Sequence, residues 1–98
     1  MEVEYEDSAL ETLANDASFS AGLSPGVEQA FRKRIQGIEA AVDERDFFAM
    51  RSWRFEKLKG NRLGQYSMRL NDQWRLILRF RDSEKGKVVS VVEIVDYH

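Results

Sequence analysis

Hydrophobic and polar residues alternate strictly along two neighbouring stretches, Gln65-Tyr66-Ser67-Met68-Arg69-Leu70 and Gln73-Trp74-Arg75-Leu76-Ile77-Leu78-Arg79-Phe80. A period of two marks half-buried strands. The alternation also fixes how they pair. A two-residue turn would set Arg69 opposite Trp74 and mix polar with apolar side chains on one face. A three-residue turn, Asn71-Asp72-Gln73, sets Leu70 against Trp74, Met68 against Leu76 and Tyr66 against Leu78. One face is then wholly apolar, and a slip of one residue would destroy it. The opposite face carries Arg69 against Arg75, Ser67 against Ile77 and Gln65 against Arg79. Like charges directly across a ladder cost stability, so a surface that keeps them is expected to hold something anionic.

Elsewhere the pattern changes period. Val3 and Tyr5 alternate with Glu2, Glu4 and Glu6, which predicts a short edge strand with an acidic outer face. Ser8 with Glu11 three residues on reads as a capping box, followed by Leu10, Leu13, Ala14 and Ala17 at helical spacing. The stretch Ser18 to Leu23 breaks that helix. Ser24-Pro25 starts another, with Val27, Phe31, Ile35, Ile38 and Val42 as its apolar stripe. Gly37 lies inside it at a cost of ~1 kcal/mol relative to Ala. Arg32, Lys33 and Arg34 lie off the stripe and read as a solvated face. Asp43 can cap a short helix holding Phe47, Phe48 and Met50, with Arg51 near its end. Trp53 and Phe55 lead into the loop Leu58 to Gly64, whose glycines suit positive φ or close approach to a ligand. Residues 82–86 form a turn, and Lys87 to Val95 reads as a buried strand. The order is an N-terminal strand, two or three helices, then three further strands. That predicts an α+β domain spanning residues 1–98, with helices on a mostly antiparallel sheet.

Charge sharpens the picture around the hairpin. The 98 residues carry a net charge of −2. Residues 1–50 hold a balance of −7, residues 51–81 a balance of +7, and residues 82–98 a balance of −2. The basic third coincides with the alternating strands, and concentrated positive charge on one sheet face attracts phosphates. Its bland counterpart is a self-compensated, solvated surface. With no cysteine there is no disulfide framework and no thiolate metal site. The longest apolar run is far short of a membrane span and the acidic N-terminus is unlike a signal peptide, so a cytoplasmic location is expected.

The candidate chemistry sits at the basic strands and at the last residues. Arg75 lies mid-sheet with a planar fork suited to a phosphate. Lys59 alone would be an ordinary solvated lysine. If Arg62, Arg69 and Arg75 crowd it, it becomes a candidate base near neutrality. His98 is the single histidine, so no multi-histidine metal site is expected. Its own carboxylate and Asp96 favour the protonated imidazole, a candidate general acid; a loose chain end is the plain alternative. Asp96 and His98 are expected on one side of the strand and Tyr97 on the other. Tyr97 suits stacking on a nucleobase, worth ~1–3 kcal/mol, and suits burial as a core residue equally.

The run Leu58-Lys59-Gly60-Asn61-Arg62, then Gly64-Gln65-Tyr66-Ser67-Met68-Arg69-Leu70-Asn71-Asp72-Gln73-Trp74-Arg75, then Val92 to His98 closely resembles HigB-type toxins of the RelE/ParE superfamily. The resemblance implies a RelE-like, microbial-RNase-like fold and a toxin of a bacterial toxin–antitoxin pair. It further implies an endoribonuclease that cuts messenger RNA, typically on the ribosome, without a cofactor or metal. A helix-turn-helix, HigA-like antitoxin would neutralise it and carry it to operator DNA. Matched position by position, the catalytic set is Lys59, Arg75, Asp96, Tyr97 and His98; the basic residues for RNA binding are Lys57, Arg62, Arg69 and Arg79. Two departures stand out. Many relatives have a histidine just before the Leu-Lys-Gly motif, where this chain has Phe55-Glu56-Lys57. The first strand is acidic where relatives are often basic. A ParE-like gyrase inhibitor and a degenerate antitoxin-binding module remain the alternatives.

Overall fold

The hairpin adopts the register that its alternation dictates. In the computed structural model, which describes residues 1–97, β3 (Gln65–Arg69) pairs with β4 (Trp74–Ser83) through Gln65–Arg79, Tyr66–Leu78, Ser67–Ile77, Met68–Leu76 and Arg69–Arg75. The three-residue turn is held by Asn71, whose Oδ1 accepts from the backbone N–H groups of Gln73 (2.9 Å) and Trp74 (2.7 Å). Before the hairpin come β1 (Glu2–Tyr5), α1 (Ser8–Asn15), α2 (Pro25–Ala40), α3 (Glu44–Ala49) and β2 (Glu56–Lys57); β5 (Gly86–Asp96) follows it. The sheet runs β1-β5-β4-β3-β2, with β1 parallel to β5 and every other pair antiparallel. The architecture is α+β as expected, with one strand more. Two residues of β2 are too few to display an alternation.

One sheet face is covered. Met68, Leu76, Leu78, Val89 and Val91 are fully buried against Leu13, Val27, Phe31 and Ile38 from α1 and α2. Phe47, Phe55, Tyr66 and Phe80 extend this layer as an aromatic cluster, with Phe55 stacked on Tyr66 at 5.1 Å. The other face is largely open.

Several local expectations are corrected. The cap of α1 is Asp7, which accepts from the Ala9 N–H at 2.8 Å, and Ser8 is the first helical residue. Val42 lies beyond the end of α2 and is 84% exposed, because Ala41 already has extended backbone angles. Two arginines of the supposed solvated face are structural. Arg32 donates to the carbonyls of Leu13 and Phe19, each at 2.8 Å, and ties down the chain between α1 and α2. Arg34 lies over the Trp53 ring at 5.5 Å, and its Nε donates to the Arg69 carbonyl at 3.1 Å, joining α2 to the hairpin.

Glu28 and Gly37 gain a physical reason. The Glu28 carboxylate, in the first turns of α2, accepts from the backbone N–H groups of Ala21 and Leu23 and from the Ser20 hydroxyl. Burial pushes its carboxyl up, but these hydrogen bonds outweigh that and hold it below the ordinary range. At Gly37, a Cβ would stand 2.7 Å from two atoms of the Trp53 ring. The helix therefore accepts glycine's propensity cost to admit the indole.

Two outcomes follow. Gly37→Ala should lower the unfolding free energy measured in urea by ~1–3 kcal/mol through overpacking, opposite in sign to the gain expected for an unobstructed helix position. Glu28→Ala should cost ~1–3 kcal/mol by stranding its donors. Because the folded value lies below the unfolded one, this stabilisation is complete above the usual glutamate range and is lost as pH falls through the folded value. Acid unfolding of wild type and variant should therefore converge below that range.

Candidate active site

The open face is built by the odd-numbered hairpin residues and by one irregularity in β5. The pairing of β4 with β5 runs Ser83–Gly86 to Leu78–Val91, then resumes at Ile77–Glu93. Val92 is an extra residue, a β-bulge. Were every residue of β5 paired in unbroken alternation instead of through this bulge, Glu93 and Val95 would face the helices alongside Val89 and Val91. With it, Glu93 lies beside Ile77, and Val95 beside Arg75, on the open face.

Across this face most arginines already have carboxylate partners. Arg81 meets Glu4 at 2.7 Å and Arg79 meets Glu6 at 2.7 Å, both acids coming from the β1 segment. The Arg81 guanidinium holds the Glu4 carboxyl below its ordinary range. Arg62 meets Glu93 at 3.0 Å and also donates to Gln65 at 2.9 Å. Arg69 pairs with Asp72 in the turn. Arg75 is different. It donates to the carbonyls of Asn71 (2.6 Å) and Trp74 (3.3 Å), and its guanidinium lies over the Tyr97 ring at 4.7 Å. Among the described residues it has no carboxylate partner, so its charge is the one on this face's strands left uncompensated. The directly opposed arginines are thus tolerated by sending one to Asp72 and the other to backbone oxygens and an aromatic ring.

Beside Arg75 a hollow of about 250 Å³ opens, lined by Leu58, Arg62, Ser67, Ile77, Val95, Asp96 and Tyr97. The loop from Leu58 to Arg62, closed by a single 3-10 turn at Gly60–Arg62, forms its outer wall. Gly60 (φ 64°) and Gly64 (φ 88°) take left-handed conformations that bring this loop back to the sheet.

The positions expected from sequence fall into three groups. Arg62, Asp96 and Tyr97 line the hollow, and Arg75 borders it. Asp96 is registered opposite Trp74, away from Arg75, and accepts from the Gln73 side chain at 3.0 Å; Tyr97 is on the Arg75 side. Lys59, Lys57 and Arg79 stand outside the lining. Lys59 is exposed in the loop. Arg62, Arg69 and Arg75, expected around it, each have partners of their own. Lys57 is registered against Tyr66, on the helix-covered face, while Glu56 stands opposite Ser67. His98 lies outside the described residues. Sequence reasoning missed Glu93, because nothing in a run of β-branched residues announces a bulge. It also missed the β1 acids as partners of Arg79 and Arg81, although the acidic edge strand was itself the signal.

Among the described residues, no group of three His, Cys, Asp or Glu side chains could hold a metal ion. Among the same residues, no helix is long and apolar enough to cross a membrane.

Comparison with known proteins agrees with this geometry. The family model described as the RelE-like toxin of type II toxin–antitoxin system HigB matches residues 3–98. Toxin HigB-1 of Vibrio cholerae serotype O1 is 33% identical over 82 residues, covering 84% of this chain and 86% of that protein. Among solved structures, a YoeB/ParE toxin from Agrobacterium tumefaciens superposes over 100% of both chains with a TM-score of 0.64 at 18% identity. A chain of the YoeB–YefM complex from Staphylococcus aureus superposes over 100% of this chain and 97% of that one, with a TM-score of 0.59 at 17% identity.

The compensated arginines make a direct test. Replacing Glu4 and Glu6 together by Gln should raise the salt concentration needed to elute the protein from heparin, since two guanidiniums become available to a polyanion. The unfolding midpoint should move little, because exposed ion pairs add little to stability.

Proposed function

The chain belongs to the HigB-like family of RelE-like toxins from type II toxin–antitoxin systems, and from that premise we propose that it is an endoribonuclease that cuts messenger RNA. The observation that carries this reading is Arg75, held by two carbonyls and the Tyr97 ring at the mouth of a hollow, with no carboxylate partner among the described residues. A fixed, uncompensated guanidinium suits an anion whose charge grows during reaction, because the donors need no reorganisation at the moment of bond breaking.

The reaction proposed is transesterification. The ribose 2′-OH attacks the adjacent phosphorus, a pentacoordinate phosphorane forms, and the 5′-oxygen leaves, giving a 2′,3′-cyclic phosphate and a 5′-hydroxyl. Arg75 stabilises the dianionic phosphorane. Lys59 or Asp96 assists removal of the 2′ proton. His98 protonates the departing oxygen, and Tyr97 presents its exposed ring to a base. Arg62 and Arg69 contact the RNA through exchange with their present partners; Lys57 and Arg79 contribute at longer range. The nucleophile is part of the substrate, so this scheme calls for no metal. Its partners are a HigA-like helix-turn-helix antitoxin and ribosome-bound messenger RNA in the cytoplasm; operator DNA is reached only through the antitoxin.

Induction followed by sequencing of RNA 5′ ends, with and without ribosomes, tests the proposal. New 5′-hydroxyl ends are expected, unaffected by EDTA in the purified reaction. Products with 3′-hydroxyl ends, or a strict requirement for Mg²⁺, would rule the chemistry out. Intact messenger RNA together with DNA damage would point instead to gyrase. Arg75→Ala should abolish growth arrest while still binding antitoxin. Loss of one proton-transfer group, as in His98→Ala, should slow cleavage by ~10²–10⁴.

A further inference from the structure

The hollow beside Arg75 is poorly suited to the phosphate that Arg75 would hold. Its floor is Ile77 and Val95, and Ile77 is 2% exposed. Among the described residues its one lining cation, Arg62, is already neutralised by Glu93 at 3.0 Å. A phosphate entering there would meet the aliphatic Leu58, Ile77 and Val95 and the acidic Asp96 and Glu93, and an uncompensated charge in such surroundings is costly.

What the hollow does offer is a mixed lining for a flat, neutral group. Ser67 sits on the floor opposite Ile77 and is 3% exposed. Its hydroxyl has no hydrogen-bond partner among the described residues, yet it is not sealed from solvent. Ser90, on the same face, shows the contrast: its hydroxyl is spent on Glu6 at 2.8 Å. The Arg62–Glu93 pair adds a donor and an acceptor side by side at one wall. Tyr97, about half exposed, makes an aromatic lip. Aliphatic floor, free hydroxyl, paired donor and acceptor, and aromatic edge are the ingredients by which proteins bind an unstacked nucleobase, its faces in apolar contact and its edge hydrogen-bonded.

We propose that this hollow is a subsite for a single nucleobase of the RNA, with Ser67 reading the base edge. The inference rests on the endoribonuclease reading and divides its substrate in two: the backbone phosphate lies at Arg75, and the neighbouring base turns inward past Tyr97 onto Ser67, Ile77 and Val95. Ser67 is then a specificity residue, and the Val92 bulge is what places Val95 and Glu93 at the subsite.

The test is an amide NMR titration of the whole chain with the four nucleoside 5′-monophosphates, and separately with ribose 5-phosphate. At least one nucleotide should move the Ser67, Ile77 and Val95 amides, whereas ribose 5-phosphate should move only those around Arg75. Ser67→Val should weaken the responsive nucleotide about tenfold, the scale of one lost hydrogen bond. The subsite is overturned if no nucleotide moves the three floor amides, or if ribose 5-phosphate moves them equally. An unchanged affinity in Ser67→Val removes the role given to Ser67. Cleavage is not read in this titration. A protein that binds the nucleotide but cuts no RNA keeps the subsite and sinks only the proposed activity.

Discussion

Everything at the site depends on the pairing register of one hairpin. Met68, Leu76 and Leu78 must lie under α1 and α2, since only that face is covered. Strand residues alternate sides, so this demand sends Ser67, Arg69, Arg75 and Ile77 to the open face with no further instruction. The core thus positions the chemistry. Arg34 reinforces the link, because one side chain stacks on Trp53 and also holds the Arg69 carbonyl. The cavity that Gly37 leaves for the indole is part of the same chain of contacts.

Electrostatics then selects within that face. A count of basic residues suggests a broad positive surface. The folded chain shows a row of local neutralisations, from Arg81–Glu4 and Arg79–Glu6 at the β1 side to Arg62–Glu93 at the loop. Exposed pairs of this kind add little stability. Their larger effect is to narrow where an anion is welcome. The acidic first strand has a physical role here: it covers one end of the arginine row.

Much of this was legible in the sequence, because the signals were local and redundant. The hairpin register followed from alternation alone, and the caps at Ser24 and Asp43 followed from residue type beside an apolar run. The failures share a cause as well. Lys57 was assigned by its charge, yet its face depends on a two-residue strand with no readable period. Asp96 and Tyr97 do take opposite sides, as counting expected; which side each takes was decided only by pairing with β4. The supposed crowding around Lys59 took no account of the partners that Arg62, Arg69 and Arg75 find in the fold: Glu93 of β5, Asp72 of the turn, and two carbonyls with the Tyr97 ring. Arg32 and Arg34 looked solvated because their acceptors are backbone carbonyls, which leave no trace in residue type.

The bulge at Val92 carries a wider implication. The two halves of β5 obey opposite phase, so the last residues face as they do because of a single supernumerary position. Deleting Val92 would mend the ladder and leave Glu93 across from Ile77 and Val95 across from Arg75. The same letters ironed into an unkinked strand would offer the opposite set of side chains, so a local fold in the backbone, more than any one residue's identity, decides which surface the chain's end presents.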